Sequence, residues 1–199
     1  MAKELSPKKN ATAKNTTGKT SMTSHSPLTS GKGNKEFQDI DGSTLLLMDS
    51  LKKLLWVENH LLVSLPKMIE SCYSKDLQNA ISKHWEITKK HVIRLEKIFK
   101  ILGKDQLSKK SDGMEGLTKE GECVIENTIP GTTSRDLGII MASQTIEHYE
   151  ISAYTGISKL AQTLGHQDIS DILMQTLNEE TESDNILTQI ARQISQSKA

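Results

Sequence analysis

Aromatic side chains make up only 4 % of this 199-residue chain. That leaves little surface on which bases could stack, which weighs against a single-strand nucleic-acid reader. Cysteine is scarce as well. Cys72 and Cys123 are the only two, and they form no CxxC or other metal spacing. Two thiols in a chain of this length do not make a disulfide scaffold, and a reducing compartment is the simplest setting for them. No apolar run approaches the ~20 residues of a membrane span. The Lys-rich start lacks the apolar segment of a secretory signal. No stretch alternates as a strand would. A soluble, cytoplasmic, all-α protein without a membrane partner is the expectation.

Charge of one sign is missing only in sum. Lys+Arg and Asp+Glu both count 25. Residues 1–35 nevertheless hold seven Lys and one Glu, a formal +6, and residues 36–199 hold 18 basic and 24 acidic residues, a formal −6. Residues 1–38 are rich in Lys, Ser, Thr, Asn and Gly. Such a segment cannot offset the entropy of ordering, so it reads as a disordered basic tail. Its lysines could attract phosphate or an acidic partner without reading sequence. The body that follows, residues 39–194, reads as one domain, with 195–199 a frayed end.

Within the body the apolar residues recur at three and four, the spacing of amphipathic helices. Helix one is expected from near Asp41 or Ser43, with Leu47, Leu51, Leu54, Glu58, Leu61 and Leu65 inward and Pro66 loosening its last turn. Helix two follows a cap at Ser74 and presents Leu77, Ile81, His84, Thr88, His91, Leu95 and Ile98 up to a stop at Gly103. Glu86 points outward. A crossover holds a short helix with Met114, Leu117, Val124 and Ile125 inward. Helix three, capped by Ser134, carries Ile140, Ser143, Glu147, Glu150, Tyr154 and Ile157 on one face and ends at Gly165. Helix four presents Ile169, Leu173, Thr176, Glu180, Asp184, Leu187 and Ile190. The architecture implied is an antiparallel four-helix bundle with a short extra helix in the helix 2–3 crossover.

Each long helix thus has a polar interruption in its apolar stripe. Counted from the two hairpin turns, near residues 73 and 165, Glu58, position 88, Glu150 and Glu180 all lie 15 residues away. At the rise of a helix that is about 22 Å in every case, so the four can share one layer. No Lys or Arg stands on the inward stripes to neutralise the acids. Clustered buried carboxylates must then be protonated, be hydrated, or hold metal. Oxygen ligands with one or two imidazoles suit iron or manganese, two ions per chain in a bundle of this kind. A protonated or water-filled polar layer is the alternative.

Several of these motifs resemble the YciE/YciF family of ferritin-like proteins. They are Glu58 through Leu65-Pro-Lys-Met68, His84-Trp-Glu-Ile-Thr88-Lys-Lys-His91, Met114-Glu-Gly-Leu117, Glu147-His-Tyr-Glu150-Ile-Ser-Ala-Tyr154 and Leu177-Asn-Glu-Glu180. The resemblance covers about residues 43–190. It implies a bacterial, stress-associated, dimeric protein with a di-metal site. Against the rubrerythrin type of site, Glu58, His91, Glu147, Glu150 and Glu180 match ligands. Thr88 stands where helix two would carry a Glu. Ser183 stands at the second helix-four position, with Asp184 one residue off. His84 could fill in from one turn away. At two turns' separation, roughly 10 Å, His84 and His91 are too far apart to bind one ion, which leaves one of them outside the direct ligands. Glu150 is expected to bridge the ions, with Glu147 terminal. The reaction implied is oxidation of ferrous iron or reduction of peroxide. The competing functions are a non-catalytic dimeric bundle whose tail holds nucleic acid or an acidic partner, and a bundle whose activity has decayed.

Overall fold

Five helices form where the periodicity places them: α1 Gly33–Ser71, α2 Lys75–Ile101, α3 Asp112–Asn127, α4 Thr133–Thr163 and α5 Gln167–Gln196. The computed structural model describes residues 33–196, with side chains from residue 42 on, and no strand occurs among the described residues. Most of the expected basic tail, residues 1–32, lies outside them, as do residues 197–199 of the expected frayed end. α1 begins well ahead of Asp41. Gly42, at ~1 kcal/mol less favourable than Ala, weakens the helix there without ending it.

Pro66 does not break α1 either. It removes the N–H that would bond the Leu62 carbonyl, and the Trp85 indole Nε1 on α2 donates to that carbonyl at 3.0 Å instead. The turn that follows is capped by Ser74, whose hydroxyl accepts from the Leu77 N–H. Asp136 on α4 accepts from the Tyr73 and Ser74 N–H groups, both at 2.7 Å, and so fastens the start of α4 to the α1–α2 turn. The cap of α4 is Thr132 and not Ser134. Thr132 has the extended backbone of a cap, and its hydroxyl accepts from Arg135 N–H at 3.3 Å, which leaves Ser134 already inside the first turn. Gly103 (φ 61°) and Gly165 (φ 82°) end α2 and α4 in the left-handed conformation. There Lys104 N–H returns to Phe99 O, and His166 N–H to Ala161 O.

α1 and α2 form one hairpin and α4 and α5 the other. α1 packs on α4 and α2 on α5, closing a four-helix ring, while α3 lies outside against α1 and α4. The interior falls into two apolar ends. One holds Leu47, Leu51, Leu95, Ile98, Phe99, Ile157 and Leu173. The other holds Val57, Leu61, Leu77, Ile81, Ile140, Ile146, Leu187 and Ile190. Each such side chain contributes about 1.5–3 kcal/mol on burial. Between the ends lies the polar layer.

Candidate metal centre

Every long helix supplies at least one buried polar side chain to this layer: Glu58 from α1, His84, Thr88 and His91 from α2, Glu147 and Glu150 from α4, and Thr176 and Glu180 from α5. Side chains able to ligate a metal gather in two groups whose ligand atoms lie within 4.8 Å of one another. His84, Glu147, Glu150 and Glu180 form one, and Glu58, His91 and Glu180 the other. Glu180 belongs to both.

In the first group His84 Nε2 lies 3.4 Å from Glu147 and 3.9 Å from Glu180. In the second His91 Nδ1 lies 2.8 Å from Glu180 and 3.4 Å from Glu58, and neither contact has hydrogen-bond alignment. Eight buried atoms of the layer have no hydrogen-bond partner among the described residues. They are Glu58 Oε2, His84 Nδ1, His91 Nδ1, Glu147 Oε2, and both oxygens of Glu150 and of Glu180. Leaving one such group unpaired costs about 1–3 kcal/mol, more for a charged one.

The electrostatics follow from that crowding. Burial pushes the Glu147 carboxyl up to about 8, with His84 opposing and Glu180 adding to the rise. Burial, then Glu180, Glu58 and Glu147, hold Glu150 well above the carboxylate range. Burial raises Glu180 too, against the opposing pull of His91. His91 goes the other way: burial disfavours its charge, but Glu58 and Glu180 outweigh burial and lift it to about 11. Without a metal, the layer holds its charge down by retaining protons.

The outer contacts differ between the imidazoles. His91 Nε2 bonds Glu179 Oε2 at 2.9 Å, and Arg94 grips both Glu179 oxygens at 2.6 and 2.8 Å. Burial would raise Glu179, but Arg94 and His91 hold it below the usual range. Tyr154 donates to Glu58 Oε1. Burial, then Glu58, keeps that phenol well above its ordinary value. None of Arg94, Tyr154 and Glu179 was singled out as a site residue from the sequence. Tyr154 lies one turn beyond Glu150 on the same face. Glu179 and Arg94 carried no signal, because both lie toward the surface and reach inward by length.

Six of the seven sequence-predicted side chains meet in the layer: Glu58, His84, His91, Glu147, Glu150 and Glu180. Asp184 does not join them. It accepts from Gln144 Nε2 at 2.9 Å and pairs with His148 at 3.3 Å on the α4–α5 seam. His84 and His91 are 6.5 Å apart between ring centres, and each joins its own group, so neither is left outside. Glu180, rather than Glu150, occupies the shared position. Thr88 donates to the His84 carbonyl at 3.0 Å. Glu86 is exposed. Four carboxylates and two imidazoles, rich in unpaired oxygen, are a donor set that fits iron or manganese.

Comparison with known proteins agrees with the helical fold. Residues 44–199 match the family model described as a domain of unknown function, DUF892. Protein YciF of Escherichia coli strain K12 is 33 % identical over 135 residues, which span 67 % of this chain and 81 % of that protein. The crystal structure described as that of the E. coli stress protein YciF has a TM-score of 0.74 at 29 % identity. The match covers 77 % of this chain and 97 % of that one. YcfI of Rhodopseudomonas palustris is 33 % identical with a TM-score of 0.72, over 73 % of this chain and 92 % of that one. A Xanthomonas campestris protein, 19 % identical with a TM-score of 0.63, shares the fold. The family model covers most of the helical bundle, and this chain belongs to the DUF892 family.

Proposed function

We propose that the polar layer is a two-ion carboxylate–histidine metal centre, with iron or manganese as the metal. The observation that carries this reading is the set of eight buried, unpartnered oxygen and nitrogen atoms, gathered in two groups around Glu180. Two divalent cations would balance four ionised carboxylates, whereas in their absence the same groups must keep protons. Glu180 would touch both ions. His84, Glu147 and Glu150 would serve one, and Glu58 and His91 the other.

Loaded with ferrous iron, such a centre would supply two electrons, the number that with two protons reduces hydrogen peroxide to two waters. The chain's part is to orient, to exclude water and to manage protons. Glu179 and Arg94 fix the His91 ring, as partners of ligating imidazoles commonly do. The Tyr154 hydroxyl holds one Glu58 oxygen and leaves Oε2 free for an ion. The apolar ends keep bulk water from the layer. The description of the E. coli relative as a stress protein supports placing this chemistry in a stress response. The resemblance further supports a cytoplasmic homodimer, which sedimentation of the purified protein checks.

Elemental analysis of protein loaded anaerobically with ferrous iron tests the reading. About two ions per chain are expected, lost in Glu58→Ala and Glu150→Ala. A wild-type protein that stays metal-free after loading would remove it. The opposed charges of tail and body favour one second reading, in which the basic tail holds nucleic acid or an acidic partner. A gel shift that weakens with salt and disappears on deleting residues 1–38 is its test, and no shift at low salt would count against it.

A further inference from the structure

The two halves of the layer are not equally reachable. A pocket between α2, α4 and α5 has Lys83 and Glu182, both exposed, on its lining, together with the buried His84 and Glu147. Apart from Ser143, Glu179 and Ser183 its remaining wall is aliphatic, with Ile87 and Ile186 among the lining residues. It therefore runs from solvent to the His84 half of the layer. Glu58, His91, Glu150 and Glu180 do not line it, and each is 0 % exposed, against 6 % for His84 and 2 % for Glu147. The His91 ring does not line the pocket; Glu179, which bonds its outer nitrogen, does, and on the other side Tyr154 holds Glu58.

Size and chemistry narrow what could use this route. The cavity measures about 30 Å³. One water needs roughly 10–15 Å³ of such space, so the pocket takes about two waters or one molecule of two heavy atoms. A molecule of more than a few heavy atoms does not fit that space. Aliphatic walls disfavour a charged visitor, which would lose its hydration there. His84 and Glu147, both members of the first ligand group, line the pocket's inner end.

Resting on the metal-centre reading, we infer that this pocket is the entry port for a small neutral oxidant carrying an O–O bond, and that it delivers the oxidant to the ion held by His84 and Glu147. The position served by Glu58 and His91 is not reached by the pocket. The two metal positions have different duties, and Ile87 and Ala80 on the pocket wall set the size limit.

Nitric oxide is a suitable probe, being neutral, diatomic and a ligand of ferrous iron. The full chain is loaded anaerobically with ferrous iron, its iron content measured, and nitrosyl formation followed by electron paramagnetic resonance after rapid mixing. Ala80→Phe and Ile87→Phe fill the pocket without removing a ligand. Each should slow nitrosyl formation by about tenfold or more, about 1.4 kcal/mol on the barrier, at unchanged iron content. Ile87→Ala should speed it. Equal rates in wild type and all three variants, with iron content equal, would overturn the port while leaving the metal centre standing. If one filled variant does not fold, the other two decide the matter. Failure of the wild type to retain iron would sink the metal-centre reading, and the port with it, before any nitric oxide is added.

Discussion

The two ends of the bundle and the layer between them answer the same packing problem in opposite ways. At the ends, Leu51, Ile98 and Leu61 meet other hydrocarbon and gain from every contact. In the layer, Glu58, Glu150 and Glu180 are as deeply buried yet leave oxygens unmatched by any donor among the described residues. The ends stabilise the fold whatever is bound. The layer costs stability unless something is bound. The proposed metal centre would account for such a cost spread across all four long helices.

The largest expected effects come from exchanging these roles. Leu51→Ala should destabilise metal-free and metal-loaded protein alike by about 2–5 kcal/mol. Glu150→Leu should do the reverse in the metal-free protein, raising its stability by about 1 kcal/mol or more, because an apolar side chain replaces an acid that burial disfavours. The same change should abolish loading. Urea unfolding of both variants with and without iron checks the pair. A metal-free Glu150→Leu protein less stable than wild type would mean the layer is already satisfied without an ion.

Solution pH sharpens the comparison next. Glu147 and Glu150 are raised in the folded protein, so their contribution is most favourable below about 4.5 and is lost as pH climbs, for Glu147 through about 8. His91 is raised to about 11, so its contribution is full below 6.5 and is lost on the way to 11. Both work in one direction: the folded, metal-free chain binds more protons than the unfolded one, and its stability should fall from pH 6 to pH 9. Ions that displace those protons should flatten the trend, and loading near pH 7 should release protons. Urea midpoints across that range, and calorimetry of loading in buffers of different protonation heat, measure the two quantities. A metal-free midpoint that rises with pH would contradict the crowding described for the layer.

How far the sequence carries this comparison differs by level. Both apolar ends are legible from periodicity alone. The level of Glu58, Glu150 and Glu180 follows from counting residues back to turns that Ser74 and Gly165 mark plainly. What counting along an axis cannot deliver is direction across it. Asp184 lies one residue past the expected ligand position, and the ~100° turn of one helical residue takes it to the α4–α5 seam. Whether Glu150 or Glu180 takes the shared position depends on side-chain rotamers. The same holds for two histidines two turns apart, whose rings approach to 6.5 Å and serve separate groups. At α4, three consecutive hydroxyl residues, Thr132, Thr133 and Ser134, each offer a cap, and only the backbone geometry at Thr132 chooses.

The halves of the layer can be separated through Glu179. It belongs to neither ligand group, and bonds Arg94 and the outer nitrogen of His91. Glu179→Gln should weaken ion binding about 10–100-fold, and only for the position served by Glu58 and His91. Titration of the variant with ferrous iron should then show one ion retained near wild-type affinity and one lost. Equal weakening of both would mean that the two positions act as a unit through Glu180.

The smallest effect concerns the edge of an apolar end, where a polar gap is met from within the chain. Pro66 deprives the Leu62 carbonyl of its helical donor, and Trp85 supplies one. Trp85→Phe keeps most of the ring and removes the N–H, so it should cost about 1 kcal/mol. The cost should depend on Pro66. In a Pro66→Ala background the helix regains the main-chain N–H for Leu62, and Trp85→Phe should then cost clearly less. Thermal unfolding of the two single variants and the double variant gives the coupling directly. An equal cost in both backgrounds would show that Trp85 acts through its bulk alone. A coupling would show that this end of the bundle meets its unpaired carbonyl with a side chain of its own, which is the supply that the layer, with eight unmatched atoms, lacks.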